Sequence, residues 1–266
     1  MNCIKKFFVC FVFTKVKWIY VICIFCLCSL CASFSFSVVS DFDELINKLE
    51  DTYVEPLTKD VGSILGGGMF HSGRALGVIP GIDVGFSASS ALMPANDDII
   101  LINAIGKKPF GFSYIQLSKG LPYGIDIMLR GFPETQDIKL LGAGLKYEII
   151  EKGIAVVKLG FSVAYSYNQL QHPNFKATTN SLAGIFSVKI PVVEPYLSVA
   201  IDSTKLETDF TVAELGGTKT NVDVTASQPR YILGLNFSLL PFTYINLAGT
   251  YSTDHYGVDF GVGLNF

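Results

Sequence analysis

Past residue 31 the chain contains no cysteine. All six (Cys3, Cys10, Cys23, Cys26, Cys28 and Cys31) lie near the N-terminus, so the remainder can form neither a disulfide nor a thiolate metal site. Histidine is nearly as scarce, with only His71, His172 and His255, and no cofactor or metal is expected. Beyond the N-terminus no uncharged apolar run approaches the ~20 residues that a membrane-spanning helix requires. The glycine run Gly66–Gly68 lacks the Lys-Ser/Thr and the βαβ setting of a phosphate loop. Yet half of the 266 residues are hydrophobic and the mean hydropathy is +0.43. Such a chain either has a large soluble core or carries its apolar surface as alternation along strands.

The C-terminal stretch shows the alternation plainly. Tyr256, Val258, Phe260, Val262, Leu264 and Phe266 are large and apolar, whereas Gly257, Asp259, Gly261, Gly263 and Asn265 are small or polar. Side chains alternate faces along a strand, so this segment has one oily and one polar face. It ends on an aromatic, as the terminal strands of outer-membrane barrels do, whose assembly machinery reads a C-terminal Phe. The same period of two recurs from Ile82 onward: in 123–130, in 141–149, in 182–190, 197–201, 231–239 and 245–251, and most cleanly in 157–167. That makes about ten strands (10–12), each near the ~9–11 residues that cross a bilayer at a tilt. Connections alternate in length. Residues 119–122, 151–153, 191–195 and 241–242 are short, while 91–109, 169–174 and 203–228 are longer and polar. Ile99–Ile105 reads as a possible short strand within the first long one. Short periplasmic turns alternating with long outer loops, with an even strand count, mark an all-β, closed antiparallel transmembrane barrel over 79–266. Tyr123, Tyr147, Tyr165, Tyr167, Tyr251, Tyr256 and Phe266 are placed to form its aromatic girdles.

Upstream, Lys5, Lys6, Lys15 and Lys17 precede an apolar stretch and then small residues, the pattern of a cleaved signal peptide over 1–37. A retained anchor is the alternative, because 18–40 carries no charge. Removing those four lysines from 20 basic residues leaves 16 against 23 acidic, a net −7, which argues against nucleic acid as a partner. Residues 38–78 then comprise a short amphipathic N-terminal helix and a glycine-rich segment. Ser40 is a suitable N-cap, Phe42, Leu45, Ile46, Leu49 and Tyr53 form a stripe, and Pro56 is expected to end the helix. A strand within 61–72 is a further possibility. With the C-terminus in the periplasm the helix returns there too, as a cap beneath the barrel or a plug within it.

Several blocks resemble an uncharacterised family of small bacterial outer-membrane-type β-barrels: Glu55-Pro56, the Gly66–Ala75 stretch, 81–86, Met93-Pro94, 121–124, 128–130 and 141–146. The resemblance implies that fold and contributes nothing on mechanism.

On the inward faces the glycines and small residues (Gly142, Gly144, Gly160, Ser162, Ala164, Gly257, Gly261, Gly263) leave room for water, a ligand or an inserted element, or relieve curvature in a tight barrel. The lumen-lining candidates are Asp83, Asp126, Arg130, Lys146, Glu148, Lys158 and Asp259, with Lys189 and Asp202 beside them. Mixed signs favour cross-strand pairing over a single-sign selectivity ring. Catalysis is not expected. Asp254-His255 could meet Asp97-Asp98 at the rim as a carboxylate/imidazole set, but no Ser or Cys stands in a nucleophile motif. The expected partners are outer-membrane lipid and, through the strand ending at Phe266, the barrel assembly machinery. Two functions remain: a narrow or plugged channel for small solutes that the sequence does not name, or a non-conducting structural or adhesion-type barrel presenting outer loops such as 206–227.

Overall fold

The computed structural model describes residues 51–266 except 136–137, 155, 174, 213–217 and 254. The expected signal peptide and the first part of the expected helix lie outside the described residues.

Ten antiparallel strands close on themselves, each paired with its neighbours in sequence and the last with the first. They are β1 (Ile82–Ala91), β2 (Phe110–Leu121), β3 (Ile125–Thr135), β4 (Ile138–Ile154) and β5 (Val157–His172). The second half is β6 (Phe175–Lys189), β7 (Val193–Val212), β8 (Thr218–Phe237), β9 (Thr243–Ser252) and β10 (His255–Asn265). Closure joins β1 to β10, from Asp83↔Asn265 to Ala91↔Gly257. The terminal residue completes the seam, since Phe266 N donates to Ile82 O at 2.8 Å and Ile82 N to Phe266 O at 3.1 Å. Over the belt that all ten strands share, a closed sheet has no edge, so the ladder groups there are satisfied without water.

The surface is inverted relative to a soluble protein. Leu129, Leu182, Ile201 and Leu233 point outward and are 55–69% exposed, while many inward positions of the lower barrel are serine, asparagine, glycine or charged. Leu197, Val199 and Ile201 give way on the outer face of β7 to Ser203, Lys205 and Glu207. There Lys205 pairs with Glu207 at 2.6 Å and with Asp223 of β8 at 3.1 Å. The change of outward residue type marks where hydrocarbon ends and water begins. Strands β7 and β8 have 20 residues each, about twice what a bilayer needs, so their upper halves stand proud of it. The stretch 203–228, expected as a loop, is mostly this ribbon. Its polarity reflects water on the outer face, not loss of strand.

Connections at one end are short. Tyr123 turns with φ 68° between β2 and β3, and Phe242 stacks on Phe266 at 5.8 Å beneath β9 and β10. Tyr123 therefore belongs to a turn, 90% exposed, rather than to a strand. The other end carries residues 92–109, where Ile99–Ile105 forms a short helix, α2, not a strand. Asp98 caps it by accepting from Leu101 N at 2.8 Å, the usual role of an Asp before a first helical turn.

A longer helix, α1 (Asp51–Gly66), lies inside the barrel. It runs through Pro56, which the sequence suggested as its end, and no strand forms in 61–72. Proline removes one N–H donor to the preceding turn; the apolar packing of α1 outweighs that loss. Val54, Leu57, Val61, Ile64 and Leu65 are 0–6% exposed and meet Tyr114, Leu140, Leu170, Ala177 and Leu206 of the wall. Five such side chains at ~1.5–3 kcal/mol each contribute on the order of 10 kcal/mol. Of the two expected roles, cap or plug, the described part of the helix takes the second, and its packing is at the loop end of the lumen, opposite the turn end. From Gly66 the chain descends through 67–76 to the turn end and enters β1.

Candidate functional site

The lumen is occupied by α1 and residues 67–76, so the site is the interface between this inserted segment and the wall. It has three tiers.

At the loop end, Asp60 and Ser63 stand one helical turn apart on α1 and meet His255, the first residue of β10. Ser63 Oγ lies 2.7 Å from His255 Nε2, and His255 Nδ1 faces Asp60 Oδ1 at 3.1 Å. Asp60 Oδ2 accepts from Ala95 N at 2.9 Å. The carboxyl of Asp98 is buried beside Asp60; burial, reinforced by the Asp60 and Asp97 carboxylates, pushes it up to about 8. The residue types are those of a nucleophile–base–acid set, yet the arrangement is a clasp. Nδ1 and Oδ1 are not aligned for a hydrogen bond, and Ser63 Oγ donates to Asp60 O at 2.9 Å. Ser63 also lies within a helix, where backbone N–H groups are committed to carbonyls four residues back and cannot form an oxyanion hole. His255 thus joins Asp60, not the Asp97-Asp98 pair directly, and Asp254 lies outside the described residues.

In the middle tier two arginines of the wall hold the C-terminal end of α1. Arg130 Nη1 donates to Gly67 O at 2.7 Å and Nη2 to Leu65 O, while Nε donates to Asn168 Oδ1 at 2.8 Å. Its guanidinium lies 4.0 Å over the Tyr114 ring. Arg230 Nη2 donates to Gly66 O at 2.8 Å and Nε to Asp202 Oδ2 at 2.6 Å. The last carbonyls of a helix lack intrahelical partners and carry its negative dipole end, so cations there satisfy both needs. Asp259 completes the tier by accepting from Gly68 N at 3.0 Å.

Toward the turn end, residues 72–76 are held by their backbone. Lys146 donates to Arg74 O at 2.7 Å and pairs with Asp126 at 3.0 Å. Leu76 N donates to Asp126 Oδ1 at 3.0 Å, and Ala75 N to Glu148 Oε2 at 2.6 Å. Arg74 pairs with Glu194 at 3.2 Å. The wall glycines make this approach possible. A Cβ on Gly160 would lie 2.3 Å from Arg74 Cγ and 2.8 Å from the Gly73 carbonyl carbon, and one on Gly144 2.9 Å from Phe70 Cζ. The β10 glycines answer to other neighbours: Gly257 to Thr250, Gly263 to Tyr244.

Of the seven sequence candidates, Arg130, Lys146, Asp126, Glu148 and Asp259 bind the inserted segment. Asp83 faces a cavity beside it, and Asp202 reaches the segment through Arg230. Lys158 is corrected. It has the inward parity but begins β5 at the rim, with its side chain 54% exposed and paired with Glu151 at 3.2 Å. The reading from sequence missed Arg230, Glu194, Asn168, Asp60 and Ser63. Inward parity within β8 would have pointed to Arg230 had 203–228 been read as strand. Of the other histidines, His71 packs on Tyr244 at 4.7 Å and His172 on Phe175 at 5.0 Å.

A closed ten-stranded transmembrane barrel filled by its own N-terminal segment is a plugged β-barrel. Residues 105–266 match a family of unknown function, DUF6588, and the chain belongs to that family. No curated protein matches it. Among solved structures it is similar to Neisserial surface protein A, at 13% identity and a TM-score of 0.32 over 70% of this chain and 97% of that one. It is also similar to the N-terminal β-barrel domain of Pseudomonas aeruginosa OprF, at 15% and 0.32 over 69% and 97%. A third is the KdgM porin in complex with disordered oligogalacturonate, at 8% and 0.33 over 69% and 99%. The likeness is one of architecture.

Proposed function

We propose that this protein is an outer-membrane channel for small solutes, held closed at rest by residues 51–76 and conducting when this plug withdraws, residues 67–76 first and α1 after them. In this reading the leader 1–37 is cleaved on export, the strand ending at Phe266 engages the assembly machinery, and lipid surrounds the apolar belt. The turn end then faces the periplasm and the β7–β8 ribbon the exterior. The observation that carries the reading is the contrast between the two parts of the plug. Helix α1 is embedded in an apolar cluster, whereas 67–76 is held mainly by hydrogen bonds and ion pairs, with Phe70 packed on a small apolar patch. Water can take over such charged hydrogen bonds one at a time, each at a net cost of ~1.5–3 kcal/mol, whereas α1 must expose its apolar face as a whole to leave; in this reading the polar part withdraws first.

A disulfide tests it. A Cβ on Gly68 would lie 3.7 Å from Ser89 Cβ, within the ~3.5–4.5 Å that a disulfide spans; the left-handed φ of 65° at Gly68 strains a cysteine there, so formation of the bond is verified by thiol titration before recording. The Gly68→Cys/Ser89→Cys protein in planar bilayers is expected to show brief openings when reduced and none when oxidised. Equal currents in both states refute the gate.

The height of the β7–β8 ribbon and its charged outer face favour a second reading, a non-conducting barrel that presents this ribbon to a partner. It prevails if removal of residues 51–76 produces no current from a folded barrel.

A further inference from the structure

Between residues 69–76 and the wall at the turn end lies a cavity of about 350 Å³, space for roughly ten waters at ~30 Å³ each. Two of its lining groups are buried without a partner. Asp83 is 3% exposed; its Oδ1 accepts from Tyr244 OH at 3.2 Å and its Oδ2 from nothing. Ser118, also 3% exposed, has a free Oγ. The two residues sit directly opposite one another on β1 and β2, and Asn265 of β10 flanks Asp83 on the other side and also lines the cavity.

Of the other lining charges, Asp126 pairs with Lys146 at 3.0 Å, and Glu194 is shared by Arg74 at 3.2 Å and Lys189 at 3.9 Å, so none of the three cations is paired with Asp83. Among the described residues Asp83 is the one lining carboxylate without a cation. Asp83 Oδ2 lies buried without a donor beside this cavity, an uncompensated desolvation cost that a cation drawn to it would relieve. Asp83 and Ser118 offer acceptors from adjacent strands, with the polar Asn265 on the third, to the three N–H donors of a primary ammonium. Calcium would need about six to eight oxygens, and no group of three His, Cys, Asp or Glu suited to a metal occurs among the described residues. Phe70, Met128 and Phe242 line the same cavity and offer apolar surface to a short alkyl stem.

We propose that this cavity binds a small organic ammonium ion, with Asp83 as its counter-ion. The site requires only the resting geometry and stands whether or not the plug moves.

The test is calorimetric titration of the detergent-purified, heat-modifiable barrel with n-butylammonium and 1,4-diaminobutane, against n-butanol and butyrate. Saturable 1:1 binding of the amines is expected, with no response to the alcohol or the carboxylate. Asp83→Asn is expected to weaken amine binding at least ~10-fold and Ser118→Ala by a few-fold, whereas Glu207→Gln on the outer face of the β7–β8 ribbon leaves it unchanged. Should Asp83→Asn fail to fold, Ser118→Ala decides. Absence of saturable amine binding overturns the proposal. So does an affinity that Asp83→Asn, or Ser118→Ala in its place, leaves intact, and so does an equal response to n-butanol.

Discussion

Replacing Arg130 with methionine separates the plug from the wall at the point where its apolar part meets its polar part. The guanidinium holds the carbonyls of Leu65 and Gly67 and is braced by Asn168 and the Tyr114 ring. Hydrogen bonds with one charged partner contribute ~1.5–3 kcal/mol net each. Methionine keeps the hydrophobic stem and also removes the desolvation cost of a buried cation, so the lower end of that range applies to each of the two plug contacts, ~3–4 kcal/mol in all. Helix α1 retains the order of 10 kcal/mol from its apolar face and follows only in the minority of withdrawn states that conduct. The segment released is 67–76, and its withdrawn fraction rises about a hundred- to a thousandfold.

Two readouts follow. Single-channel recordings of Arg130→Met are expected to show openings far more frequent than in the parent. Limited proteolysis of the folded barrel in detergent is expected to cut within 67–76 while α1 remains protected. Heat-modifiability confirms that the sheet is intact, because the strand ladders do not pass through this side chain. A folded Arg130→Met barrel with unchanged opening frequency and unchanged cleavage refutes the claim that the helix-terminal carbonyls are where the plug is held.

Gly160→Val inserts atoms where Gly73 and Arg74 press on the wall and is expected to raise opening frequency and proteolysis of 67–76. Gly249→Val, whose Cβ meets nothing within 4 Å, serves as a silent control in the same assays. Asp98 makes docking of the loop-end clasp pH-dependent. Its carboxyl rests at about 8 when folded, against 3.8 ordinarily, so the folded state binds the extra proton. The stabilisation is complete below pH ~4 and lost as pH rises toward 8, by up to ~1.4 kcal/mol per unit. Hydrogen exchange of α1 is expected to accelerate over that window, and Asp98→Asn, which faces the same Asp60 and Asp97, to flatten the profile. Ser63→Ala costs ~1–2 kcal/mol of α1 protection, and a fluorophosphonate probe is expected to leave Ser63 unlabelled. Stoichiometric labelling lost in His255→Ala would show an activated nucleophile instead of a clasp.

The lower part of the barrel was legible because a single rule governs it. Where hydrocarbon lies outside and a polar lumen inside, the period of two places Leu197, Val199 and Ile201 outward and Ser198, Ala200 and Asp202 inward, and the strand count of ten follows. Higher up, the rule reverses within the same strands. Lys205 and Glu207 face water, while Leu206, like Leu170 and Ala177 on β5 and β6, turns inward onto α1. This part is an ordinary soluble core with a helix at its centre, and a reader who equates apolar with outward loses the strand there. The same reversal hid the helix: without an inward apolar wall to meet Val54, Leu57, Val61, Ile64 and Leu65, nothing in the sequence argued for continuing past Pro56. The clasp could not be read at all, since Asp60 and Ser63 lie nearly 200 residues from His255 and come together only once the barrel has closed on the helix. Inward leucines above a polar lumen are therefore the sequence signature of an occupied barrel. Leu140, Leu170 and Leu206 on three different strands already carried that signature. Their apolar faces required a partner, and among the described residues α1 provides it, with Ile100, Leu101 and Ile105 of α2 joining the same cluster.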